Sequence, residues 1–177
     1  HPLFYIPMLI LTAIIIALQI RVIIRGRKLQ AAKRETDNIL NNVEEGLILI
    51  DQNYTIESQY SRVVEKILEE EALAQKNFTE ILRDKMDEKL WQSTVDFIDI
   101  MFRENFDQSM MDELNPISEV KVTFEEQNKV KYLTFNFRNI DTGEHDENEV
   151  MITIRDITEQ TLLEQQLKES REEAKRQ

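Results

Sequence analysis

The chain of 177 residues contains no cysteine. That absence excludes a disulfide framework, a thiolate metal site and a covalent cysteinyl-flavin adduct. Glycine is scarce, with only Gly26, Gly46 and Gly143, and none stands in an arrangement that cradles phosphates. Histidine is limited to His1 and His145. Neither falls on an apolar element, which argues against a haem ligand. His145 lies in G-E-H-D-E-N-E, a loop composition without the helical period of a phosphoacceptor helix. Kinase chemistry therefore has no residues to work with in this stretch, and no catalytic residue is assigned. The acids of Glu69-Glu70-Glu71 and of residues 141–149 could hold a hard cation, but they read more simply as solvated surface, and no metal site is assigned.

Charge falls into two blocks. Residues 21–34 carry Arg21, Arg25, Arg27, Lys28, Lys33 and Arg34 with no acid, a local +6. The rest of the chain holds the other 16 basic residues and all 34 acidic ones, a local −18. A body of that sign repels phosphate backbones, so a nucleic-acid partner is excluded. The basic block has a better explanation beside a membrane.

Residues 3–20 form an apolar run broken only by Pro7, Thr12 and Gln19. As a helix this run covers about 27 Å, and Val22 to Ile24 extend it toward the roughly 30 Å of a bilayer core. The predicted organisation begins with a transmembrane helix over 1–24. The basic flank then places the chain after about residue 24 in the cytoplasm of a bacterial inner membrane, crossed once here. A cleaved signal peptide would carry its positive charge ahead of the apolar run and end at small residues; a buried core helix is the other alternative. The chain opens on His1, and we expect a piece of a longer protein whose preceding part begins outside the membrane.

A cytoplasmic helical linker is expected over 25–43. Leu29, Ala32, Thr36, Ile39 and Val43 keep the alternating three-and-four spacing of a coiled-coil seam. Ala and Thr are weak seam residues, so an ordinary amphipathic linker remains an equal alternative. Near the other end, Leu163 and Leu167 keep the same spacing in a polar helix over 159–177. Such a core is too poor to be stable alone, and a parallel homodimer is the expected partner arrangement.

Between these helices the period changes. Leu47 to Ile50 reads as a strand, Asp51-Gln52-Asn53 as a turn and Tyr54 to Ser58 as a second strand of a hairpin. A helix is expected from about Ser61, a loop over Leu73 to Phe78, and a short helix over Thr79 to Leu82. A long amphipathic helix is expected from Asp84 to about Phe106, with Met86, Leu90, Phe97 and Met101 beside Trp91, Val95, Ile98 and Phe102. Asn115-Pro116 marks a break. Three alternating strands follow, over Glu119 to Phe124, Lys131 to Arg138 and Glu149 to Asp156, joined as antiparallel neighbours. The last runs into Asp156-Ile157-Thr158-Glu159, where Asp156 and Thr158 have the composition of a helix cap.

In this order, the G-L-I-L-I-D hairpin at Gly46 to Asp51, the L-A-Q-K-N-F loop at Leu73 to Phe78 and the closing D-I-T-E resemble a PAS domain. The resemblance covers about residues 36–160, with the domain itself placed at 44–158. It implies an α+β fold, an antiparallel sheet with helices on one face, flanked here by the membrane helix and the coiled-coil segments. It also implies that Asp156, Ile157, Thr158 and Glu159 couple the last strand to the outgoing signalling helix. The segment from Asp84 to Asn115 is longer than the family's usual stretch before the third strand, which leaves the shape and contents of any cofactor pocket open. The wording I-L-N-N-V-E-E-G-L, Q-Y-S and K-N-F is similar to PAS modules of bacterial hybrid sensor histidine kinases, with their downstream kinase and phosphotransfer domains. The resemblance thus implies a module of a two-component phosphorelay. A relay that binds no small molecule, or the input domain of a diguanylate cyclase or a methyl-accepting receptor, are the alternatives.

Overall fold

The computed structural model describes residues 5–41, 45–104, 106–140 and 148–176, without the side chains of 5–10, 12, 13, 29 and 35–41. The chain divides into two compact units, His1–Ile39 and Leu40–Gln177. Among the described residues, the first carries the continuous helix α1 (Tyr5–Asn41), so no break separates the predicted membrane segment from the predicted linker there. Leu11, Ile14, Ile15, Ile16, Leu18, Ile20 and Val22 are all exposed on it. Among the described residues, no helix is long and apolar enough to cross a membrane. Much of the predicted membrane segment, residues 1–4 and the side chains of 5–10, 12 and 13, lies outside the described residues.

The second unit contains β1 (Gly46–Ile50), α2 (Val63–Leu68), α3 (Phe78–Arg83), α4 (Glu88–Arg103), α5 (Gln108–Leu114), β2 (Val120–Phe124), β3 (Lys129–Ile140), β4 (Glu149–Asp156) and α6 (Thr158–Arg176). The four strands make one antiparallel sheet in the order β1-β4-β3-β2. The first and last strands of the domain are therefore neighbours, with Gly46 opposite Ile154 and Ile50 opposite Val150. The period of two decides which face is buried. Ile48 and Ile50, Val122 and Phe124, Leu133, Phe135 and Phe137, and Val150, Ile152 and Ile154 all point inward. They pack with Val64, Ile67, Leu68, Phe78, Leu82, Phe97, Ile98, Met101 and Met111 of the helices. The α+β sheet with helices on one face is as expected.

Three elements differ from the sequence reading. Tyr54 to Ser58 is not a strand; only the bridges Ile50–Ile56 and Thr55–Asn77 form. Tyr54 has φ 61°, a left-handed conformation that breaks an extended run. The segment still follows the outer edge of β1, since Glu57 N–H reaches Leu49 O and Ser61 N–H reaches Leu47 O, each at 2.9 Å. The long helix starts later than Asp84, because Asp87 caps it by accepting the Leu90 N–H at 3.0 Å. It ends at Arg103, and a second helix, α5, follows in a stretch to which the sequence reading assigned no element. Asp107 caps α5 by accepting the Met110 N–H at 2.9 Å.

Gly46 is required by close packing. A Cβ there would lie 2.6 Å from Val64 Cγ2 and 3.3 Å from the Ile154 carbonyl oxygen, so α2 sits directly over the start of β1.

Candidate functional site at the strand-to-helix joint

The inward alternation of β4 stops after Ile154, and Arg155 and Asp156 are exposed. One carboxylate oxygen of Asp156 accepts the Thr158 N–H at 3.0 Å and also the Thr158 hydroxyl. This Asx turn stops the strand and aims the chain into α6. Asp156 thus bonds two residues on, and not in the reciprocal box with Glu159 that the spacing predicts. The Thr158 hydroxyl oxygen accepts the Tyr132 N–H at 2.9 Å, while the Ile157 N–H donates to the Tyr132 carbonyl at 2.8 Å. Both backbone groups of Tyr132 are therefore committed to the joint. The first bond of α6 follows, from Thr161 N–H to Ile157 O at 2.9 Å, with Glu159 favourably placed in the first turn. Arg155 forms an ion pair with Glu45, just ahead of β1, so the strands that enter and leave the domain are also joined at their ends.

One residue earlier on β3, Lys131 is buried. Its ammonium donates to the carbonyls of Lys66 at 2.7 Å and Ile67 at 2.9 Å, and pairs with Glu69 at 2.7 Å. Those carbonyls belong to the last turn of α2, where intrahelical donors run out, and a cation is favoured at that end of a helix. Glu69 closes α2 with φ 52° and also takes Lys129 at 2.7 Å. The two lysines hold its carboxyl far down, at about 2, against the partial burial that opposes ionisation. The Lys131 ammonium also lies 5.1 Å from the Phe124 ring centroid. A cleft of about 510 Å³ runs past Lys66, Glu69, Lys129 and Lys131 to Asp156 and Thr158.

Away from the joint, the Tyr54 hydroxyl donates to Asp99, which pairs with Arg103 at 3.2 Å. Burial, and then the bond to Asp99, push the Tyr54 phenol up to about 12. Two aromatic pairs lie in the core between sheet and helices. Phe97 meets Phe137 edge-on at 5.2 Å, and Phe78 lies 6.2 Å from Phe135.

No protein-family profile matches the chain, and no curated protein does. Among solved structures it is similar to the PAS domain of Bordetella pertussis BvgS, at 10% identity and a TM-score of 0.51, covering 81% of this chain and 98% of that one. The fold is that of a PAS domain. Two further PAS domains match at lower TM-scores. One is from a two-component sensor histidine kinase (11% identity, 0.42, 72% of this chain and 97% of that chain). The other is from a Desulfitobacterium hafniense protein (14%, 0.41, 67% and 98%).

Within this PAS fold, Ile157 and Thr158 meet the Tyr132 backbone, Asp156 holds Thr158, and Glu159 lies in the first turn of the helix that follows. The seam residues other than Val43 belong to two separate helices, α1 and α6. Leu163 and Leu167 are exposed, Ala32 is exposed on α1, and the side chains of Leu29, Thr36, Ile39 and Val43 lie outside the described residues. His1, His145 and most of the acidic run 141–149 also fall outside them. Among the described residues no cluster of acids or histidines could hold a metal ion; Glu69 and Glu70 are instead engaged by Lys129, Lys131 and Lys76. Sequence reading missed Lys131, although it falls in the inward phase of Leu133, Phe135 and Phe137. A charged residue in that phase is the signal that a buried partner is waiting.

Proposed function

We propose that this chain is the membrane-anchored relay module of a bacterial two-component sensor histidine kinase. It couples an input to a downstream kinase or phosphotransfer domain and works as a parallel homodimer, its body on the cytoplasmic side of the inner membrane. The observation that carries the reading is the joint itself: Ile157 and Thr158, the latter held by Asp156, tie the start of α6 to the Tyr132 backbone, so the outgoing helix follows the sheet. The apolar run over 3–20, with its basic flank, supports membrane anchoring. The exposed Leu163 and Leu167 on α6 support pairing with a second copy.

The test is made in a full-length receptor with a measured response. Asp156→Ala and Leu163→Pro are each expected to abolish stimulus-dependent output while the domain still melts cooperatively. Normal output from both variants sinks the proposal.

A relay that takes no small molecule is the second reading, favoured by the fully buried Phe78, Phe135 and Phe137 side chains in the core between sheet and helices. Mass spectrometry of protein purified natively, with melting scans against a metabolite library, separates the two: a co-purifying ligand or a shifted melting point overturns the second reading.

A further inference from the structure

The α2 helix touches both ends of the domain. Val64 lies against Gly46 at the entrance to β1. Two residues on, the Lys66 and Ile67 carbonyls are held by Lys131, and the next residue of β3 is Tyr132, whose N–H and C=O are both taken by the joint. From Gly46 to Thr158 the connection is an unbroken sequence of packed or hydrogen-bonded groups. No long side chain with free rotors has to carry it, because the Lys131 ammonium is fixed by three acceptors.

We propose that α2 is a lever between entrance and exit, with Lys131 as the positioning residue that latches its carboxy-terminal end to the joint. The lever depends on the reading of the joint as the transmission point. Displacing Gly46 pushes Val64, and a tilt of α2 pulls on Lys131. Because a strand moves with its neighbours' hydrogen bonds, the Lys131-Tyr132 step shifts, and with it the acceptor and donor that orient α6. Glu69 supplies the third acceptor of the latch, and the two lysines hold its carboxyl ionised far below neutral pH. Lys131 touches no reacting group; it acts only through what it holds.

Amide hydrogen exchange on the full chain in lipid nanodiscs tests this. In Lys131→Met, the amide at the end of α2 (Glu69) and the amides of Ile157 and Thr161 are expected to exchange at least about tenfold faster, while Ile48 and Phe135 in the sheet do not change. Glu69→Gln, which spares the two carbonyl bonds, should give the same pattern more weakly. Acceleration confined to α2, or none anywhere, overturns the lever. Should Lys131→Met raise exchange throughout, the fold has been lost and Glu69→Gln decides by the same criterion. Thr158→Val separates the two readings. If it leaves Ile157 and Thr161 unaffected, the joint reading itself fails; if it accelerates them while Lys131→Met does not, the joint stands without the lever.

Discussion

The backbone N–H of Tyr132 donates to the side-chain oxygen of Thr158 at 2.9 Å, across a sequence separation of 26 residues. A strand amide at this position would ordinarily find a neighbouring strand. Here β4 has ended at Asp156, and a threonine hydroxyl takes over as acceptor while its own proton goes to the Asp156 carboxylate. The three groups satisfy one another in a fixed order, from amide to hydroxyl to carboxylate. That order needs a hydroxyl at residue 158 and a side-chain oxygen acceptor at 156.

Thr158→Val keeps the shape and removes both roles. Leaving the Tyr132 amide without its acceptor is expected to cost about 1–2 kcal/mol, with the first turn of α6 fraying. Thr158→Ser should recover most of the loss. Urea unfolding of the three proteins checks this; equal midpoints for Thr and Val would show that the bond contributes nothing.

Gly46→Ala places a methyl 2.6 Å from Val64 Cγ2. Val64 is buried and β-branched, so it has no alternative rotamer to retreat into. A loss of about 1–3 kcal/mol is expected from the overpacking. Val64→Ala alone should also destabilise, but the double variant should be more stable than the sum of the two predicts, because the cavity accepts the new methyl. Additivity in a double-mutant cycle would place the cost elsewhere, in the 3.3 Å approach to the Ile154 carbonyl.

Residues whose neighbours are local or periodic were legible from sequence. Alternation over Glu149 to Asp156 marks β4 to the residue, and Asp156 with Thr158 carries cap chemistry that the structure uses. What escaped was decided by distant partners. Tyr54 to Ser58 has the composition of a strand, yet the left-handed Tyr54 and the reach of Ile56 N–H to Lys76 O turn it into a strap. Asp107 in D-Q-S-M-M-D-E-L is a cap signal for α5 that the nearby Asn115-Pro116 break obscured. Lys131 is the clearest case: its phase along β3 is visible in the sequence, but the α2 carbonyls it serves lie 64 and 65 residues away.

Acid should weaken the α2 latch. The folded Glu69 carboxyl titrates at about 2, below its ordinary value of 4.5. A depressed carboxyl stabilises the fold fully above the unfolded value and loses that contribution as pH falls from 4.5 toward 2. Glu69→Gln is therefore expected to be less stable at pH 6 and to approach the parent protein by pH 3. Urea midpoints measured across that range check the sign; a gap that widens in acid would contradict it.

The Tyr54 phenol gives the opposite slope. Burial first, and then the bond to Asp99, raise it from 10.0 to about 12. A group whose folded value is raised contributes below its unfolded value and loses that contribution as pH climbs from 10 toward 12. Tyr54→Phe keeps the ring against α4 but removes the proton, at a cost of about 1 kcal/mol near neutrality. It should also flatten the fall in stability above pH 10. Asp99→Asn should reduce the alkaline slope without abolishing it, since burial is the larger cause and remains. Absorbance titration of the phenolate in the Asp99→Asn protein provides the direct check, because a Tyr54 transition returned fully to 10 would make Asp99, and not burial, the dominant influence.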